Sequence, residues 1–200
     1  MLEAPPTSAS LLVRIRDGRD QEAWRQFVQV YAPVVYGFAR KRGLQDADAA
    51  DVMQDVLRSV AGAAARLNYD PARGSFRGWL YTVARNKIFS FLEAGRHKLG
   101  RGSGDSGVRE QLEALAGPEW GLAESWDEEY ERNLAALAME RVRGEVQPAT
   151  WQAFWQTAVE GRGAREAGAA LGMTAGAIYV ARSRVLARLK EEVQRLQEQD

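Results

Sequence analysis

Residues 68–92, NYDPARGSFRGWLYTVARNKIFSFL, decide how the chain folds. They open as a turn, because Asn68, Asp70, Pro71 and Gly74 all favour turns and interrupt a helix. From Phe76 onward Phe76, Leu80, Val83, Ala84, Ile88 and Phe91 recur at three- and four-residue steps. That period predicts a helix with one buried stripe. Its opposite face is expected to carry Arg77, Trp79, Tyr81, Thr82, Arg85, Asn86, Lys87 and Ser90. Cations, an amide, hydroxyls and flat rings in one place suit phosphate neutralisation, stacking of unpaired bases and hydrogen bonding to base edges. The same face also suits an ordinary solvated helix surface, and a tryptophan such as Trp79 in a helical bundle is core more often than not.

Upstream, Ser10–Arg16 reads as a short helix and Asp20 as the cap of a longer one. Trp24, Phe27, Val28, Tyr31, Val35 and Phe38 hold helical spacing there, and Gly43 ends it. Pro33 inside it predicts a kink or a local break. Asp46 or Asp48 is placed to cap the next helix, with Val52, Met53, Val56, Leu57 and Val60 facing inward. The other side of that helix shows Asp48, Asp51, Gln54 and Asp55, with Arg58 one turn on. Taken alone, these aspartates read as solvated charge or as favourable partners of the helix dipole, and no companion motif makes them a metal site.

Downstream, residues 93–107, EAGRHKLGRGSGDSG, hold five glycines and little to bury, which predicts a flexible linker. His97, the only histidine, is expected to be a solvated loop residue, and residues 100–104, GRGSG, lack the strand and the lysine-serine ending of a phosphate loop. After an acidic stretch at residues 110–121, Trp126, Tyr130, Leu134, Leu137, Ala138 and Val142 mark an amphipathic helix. Pro148 starts another, with Trp151, Phe154, Trp155 and Ala158 as its buried side, stopped by Gly161 and Gly163. Finally Arg165–Leu171 forms a short helix, Gly172 and Met173 a turn, and Thr174 caps a helix running through Glu192. A short helix, a glycine turn and a longer helix bearing Tyr179, Arg182, Ser183 and Arg184 make a helix-turn-helix pattern. Glu191 to Asp200 read as an acidic-polar overhang. No alternating strand pattern of useful length occurs, so the expected class is all-α.

The 200 residues suffice for one large domain or two small ones. With no cysteine there is no disulfide, thiolate metal site or thiol nucleophile. The balanced total charge hides an uneven distribution. Residues 1–101 hold 16 Lys/Arg against 10 Asp/Glu, residues 102–150 hold 4 against 11, and residues 151–200 hold 7 against 6. A basic front, an acidic middle and a near-neutral tail suggest several partners rather than one uniformly basic surface. No signal-peptide pattern marks residues 1–10 and no apolar run is long enough to cross a bilayer, so a cytoplasmic protein without membrane insertion is expected.

Taken together, DQEAWRQFVQVYAPVV, ADVMQDVL, DPARGSFRGWLYTVARNKI and ATWQAFWQTAVEGRGAREAGAALGMTAGAIYVARSRVL occur in an order that resembles the bacterial RNA polymerase sigma factors of the compact ECF type, in the sigma-70 family. The resemblance runs from about Ser10 to Val193, with the linker unmatched. It implies two small helical domains: residues 1–94 similar to sigma region 2, a flexible linker over 95–121, and residues 122–200 similar to sigma region 4. It implies that Asp48, Asp51, Gln54 and Asp55 meet core RNA polymerase. It implies that Trp79 and Asn86 lie where promoter melting and capture of a flipped −10 base occur, with Arg77, Arg85 and Lys87 on nearby phosphates. The helix-turn-helix residues Thr174, Ala177, Tyr179, Arg182, Ser183 and Arg184 would then read the −35 element. The start of that helix is less basic than the family often is, which shifts weight to apolar contact and DNA shape. Core polymerase, promoter DNA and an anti-sigma factor or other regulatory protein are the implied partners; no metal and no cofactor are implied.

The rival from another class is a free-standing helix-turn-helix regulator whose first domain serves a different protein. A decoy that binds polymerase without capturing a base is a further one. An enzyme is the weakest reading, since no nucleophile, base and orienting group occur together.

Overall fold

The computed structural model describes residues 9–66, 75–98 and 119–199. The expected turn at 68–74 and the glycine-rich part of the linker, with the GRGSG run, lie outside them. Among the described residues every regular element is helical. In order they are α1 (Ala9–Arg14), α2 (Gln21–Lys41), α3 (Asp46–Ala64), α4 (Phe76–Lys98), α5 (Glu119–Glu145), α6 (Pro148–Phe154), α7 (Ala164–Leu171) and α8 (Ala175–Gln199). The all-α expectation holds. None of these helices is long and apolar enough to cross a membrane.

The chain divides into two compact units: Met1–Asn133 with Gln199–Asp200, and Leu134–Glu198. The first is a bundle whose centre is aromatic. Phe27, Tyr31 and Phe38 of α2 are fully buried. Phe76 of α4 meets Phe27 edge-on at 5.9 Å and Tyr31 at 5.7 Å between ring centroids. Ala49, Val52, Val56, Val60 and Ala64 form the buried side of α3. Small and β-branched residues at these steps let α3 lie close to its neighbours.

Local chemistry explains how α2 starts and how it survives its proline. Asp20 caps it: the Ala23 N–H donates to Asp20 Oδ1 at 2.9 Å. Arg14 Nε donates to Asp20 Oδ2 at 2.8 Å, and with the Ala23 bond it holds that carboxyl below its ordinary value. Pro33 has no N–H to give the carbonyl four residues back, yet α2 runs unbroken through it, so of the expected kink or local break the break is absent. The donors come from elsewhere: Asn133 Nδ2 donates to Gln29 O at 3.1 Å and Val30 O at 2.7 Å. At α3 the expected Asp46 or Asp48 cap is not formed. Gln45 holds the cap position without a side-chain bond, while Asp46 accepts from Tyr36 Oη at 3.0 Å and pairs with Arg40 at 2.9 Å.

Residues 93–98, expected to open the linker, are helical instead, because α4 continues to Lys98 and includes the backbone of His97. The helix predicted from Trp126 is present, but its first half belongs to the first unit: Trp126 meets Phe38 at 5.5 Å and Tyr130 stacks on Tyr31 at 6.0 Å. Hydrophobic spacing marks a helix and says nothing about which partner each turn finds.

In the second unit Val142, Trp151, Phe154 and Val185 make one core cluster and Ala153, Ala167, Ile178 and Ala181 a second. Trp151 and Trp155 are stacked at 6.1 Å, Trp151 inside the first of these clusters and Trp155 packed against it. α6 passes into a π-helical turn, Trp155–Val159, where Thr157 Oγ1 donates to the Ala153 carbonyl at 2.7 Å. α8 extends to Gln199, and Glu192 and Leu196 are buried, so much of the expected overhang is structured helix.

Candidate nucleic-acid interface

α4 begins at Ser75, whose Oγ accepts from the Gly78 N–H at 3.1 Å. Its predicted stripe is inside: Phe76, Leu80, Ala84 and Ile88 are buried, with Val83 and Phe91 half-buried. A second row is also inside, against expectation. Arg77 and Tyr81 were expected on the solvent face, but Arg77 is only 6% exposed and Tyr81 is buried. The cause is α5. The Arg77 guanidinium carbon lies 4.4 Å from the centroid of the Tyr130 ring, and Nη2 is 3.9 Å from Asp127. Tyr81 meets Trp126 at 6.1 Å and Phe38 at 5.8 Å. Packing on two sides is invisible in a helix period, which reports one apolar face.

The rest of the predicted face is open to different degrees. Trp79 is 38% exposed and Asn86 is exposed, whereas Arg85 and Lys87 are half-buried. Trp79 leans on Phe76 at 5.4 Å between ring centroids, so it is packed in part and open in part. Phe89, which period reading left unassigned, is exposed too. Its spacing from Trp79 and Asn86 puts all three on one row of the helix, and that spacing was the signal available for it.

On α3, Asp51 and Gln54 are exposed and Asp48 and Asp55 half-buried. These residues share one face, but not as bare charge: Arg58 pairs with Asp55 and donates to Gln54 Oε1 at 3.4 Å. Among the described residues no group of three or more His, Cys, Asp or Glu could hold a metal ion.

The helix-turn-helix is built as the spacing predicts. Gly172 closes α7 in the left-handed region at φ 64°, and the Met173 N–H donates to the Gly168 carbonyl at 2.9 Å. A Cβ at Gly168 would lie 2.5 Å from the Met173 carbonyl oxygen, so the turn needs glycine there as well. Thr174 caps α8, its Oγ1 accepting from the Ala177 N–H at 3.1 Å. Ile178, Ala181 and Val185 face inward, and Tyr179, Arg182, Ser183 and Arg184 face outward, Tyr179 at 62% exposure. Ala177 is half-buried beside the cap. Below this surface Glu192 is buried between Arg141 and Arg195, each 2.8 Å away. Burial pushes its carboxyl upward, but the hydrogen bonds from Arg195 and Arg141 outweigh that and hold it below the ordinary value.

Comparison with known proteins bears on the first of these surfaces. Residues 27–97 match the model of sigma-70 region 2. A stretch of 87 residues is 37% identical to the ECF RNA polymerase sigma factor RpoE of Cereibacter sphaeroides, covering 44% of this chain and 47% of that protein. The chain thus matches about half the length of this curated relative. Among solved structures, that of CnrH in complex with the cytosolic domain of CnrY is 22% identical, with a TM-score of 0.36, over 92% of this chain and 96% of that one. At that score the two chains superpose too loosely for one to stand for the other. The matched residues 27–97 take in the α2, α3 and α4 surfaces described above, and over this part the chain is similar to sigma-70 region 2.

Proposed function

We propose that the chain is an alternative sigma factor of the ECF type, which binds core RNA polymerase and directs promoter recognition, DNA melting and transcription initiation. The observation that carries the reading is the sigma-70 region 2 match over residues 27–97, with Trp79 and Asn86 exposed on the helix inside it. In this reading Asp48, Asp51, Gln54 and Asp55 meet the polymerase. Trp79 and Asn86 hold a base drawn from the −10 element, and Arg85 and Lys87 meet phosphates beside it, with Arg77 joining them. Extracting the base costs a few kcal/mol, and stacking on a ring returns about 1–3 kcal/mol per base. Asn86 offers a donor and an acceptor to a base edge. Thr174, through its cap, and Ala177 set the start of α8, while Tyr179, Arg182, Ser183 and Arg184 meet the −35 element in the major groove. Residues 1–94 and 122–200 are the two functional parts, 95–121 joins them, and an anti-sigma factor is a further partner. The chain supplies binding energy and specificity, and the polymerase supplies the chemistry.

The test is a pull-down of the purified chain with core RNA polymerase, wild type against Asp51→Arg/Asp55→Arg. Capture by wild type and loss in the double variant is the expected result. Failure of wild type to bind core would overturn the reading and favour a free-standing helix-turn-helix regulator.

A further inference from the structure

The first half of α5 is seated on α2 and α4 by features of both sides. Asn133 donates to the Gln29 carbonyl, which Pro33 leaves without a donor, and to the Val30 carbonyl beside it. Glu129 is 7% exposed and lies against Gly37, where a Cβ would sit 2.3 Å from its carboxylate oxygen. Lys41 reaches Glu128 at 2.9 Å and Glu129 at 3.1 Å. Trp126 and Tyr130 fill the space between.

What this segment covers is cationic. Arg77 is over nine-tenths buried, with Nε and Nη1 facing no hydrogen-bond acceptor among the described residues. Trp126 Nε1, also a donor, likewise lacks an acceptor among the described residues. Buried guanidinium N–H groups without acceptors are costly to keep. The segment offers Arg77 only a ring and one carboxylate oxygen beyond hydrogen-bond distance. A nucleic-acid strand offers a ring and phosphate oxygens, and phosphate suits the guanidinium fork better.

We propose that residues Trp126–Asn133 are a built-in stand-in for single-stranded DNA. In the free chain they cover Arg77, and when they lift, Arg77 binds a backbone phosphate. This rests on the sigma reading of the same helix and adds its control: the α4 surface is incomplete until α5 lets go. The segment is acidic and aromatic, carrying Trp126, Asp127, Glu128, Glu129 and Tyr130, as a strand is anionic and carries rings.

The test compares full-length wild type with two variants that lift the segment from opposite sides without changing charge. Tyr130→Ala removes the ring over Arg77, and Gly37→Leu places a side chain where Glu129 sits. Binding of fluorescein-labelled oligo(dT) is measured against salt, and amide hydrogen exchange reports on residues 126–133. Each variant is expected to exchange faster there and to bind about threefold tighter at low salt, with the slope of log K against log salt steeper by about 0.7, the value for one phosphate contact on a single strand. Adding Arg77→Ala to either variant should return both quantities to the wild-type level. Faster exchange with unchanged affinity and slope in both variants would overturn the proposal, as would unchanged exchange in both or a gain that survives Arg77→Ala. The probe requires no polymerase, so this failure is separable from failure of the core pull-down.

Discussion

The two helices proposed to meet DNA, α4 and α8, start alike and end up differently placed. Each begins with a hydroxyl cap, from Ser75 and Thr174. On α8 one face packs and the other stays open from Tyr179 to Arg184. On α4 the apolar stripe packs on the bundle while a second row, Arg77 and Tyr81, is covered by α5. A helix packed on one side displays its polar residues as its sequence lists them, whereas a helix packed on two sides spends part of them on its neighbours.

The largest effect should come from loosening α4. Phe76→Ala empties a fully buried site between Phe27 and Tyr31 and is expected to cost about 3–5 kcal/mol in urea denaturation. A loss under about 1 kcal/mol, the size of an average substitution, would mean that the aromatic centre does not hold α4. A smaller effect is expected where α8 is set. Gly168→Ala should cost about 1–3 kcal/mol, because its Cβ would press on the backbone carbonyl of Met173 rather than on a movable side chain. If alanine stabilised the chain instead, through its better helix propensity, the close approach would not be what fixes the turn.

The smallest effect concerns Glu192, beneath the open face of α8. Its folded pKa lies below the ordinary 4.5, so its stabilisation is fully present above that value and is lost as pH falls through the folded one. Glu192→Gln is therefore expected to cost about 1 kcal/mol at neutral pH, because solvent reaches both arginines. The difference from wild type should shrink on acidification below about pH 4. A difference that stayed constant down to pH 2 would show that the carboxylate charge is not what the two arginines hold.

Much of the second unit was legible in the sequence, because its devices are local. Gly172, Thr174 and the three- and four-residue spacing of Ile178, Val185 and Leu189 each act within a few residues of themselves. The first unit was legible in its helices but not in its surfaces. Pro33 predicted trouble in α2 and could not announce that Asn133, a hundred residues away, would supply the missing donor. Arg77 and Tyr81 stood on the polar side of one helix period, and only the arrival of Trp126 and Tyr130 buried them.

What the sequence by itself determined is the set of helices, the caps at Asp20 and Thr174, and the likeness of residues 27–97 to sigma-70 region 2, since periodicity, local caps and motifs are properties of neighbouring residues. What only the tertiary structure decided is which polar side chains remain available. That depends on what packs over a helix from far along the chain, and burial by a distant segment leaves no mark on the local pattern.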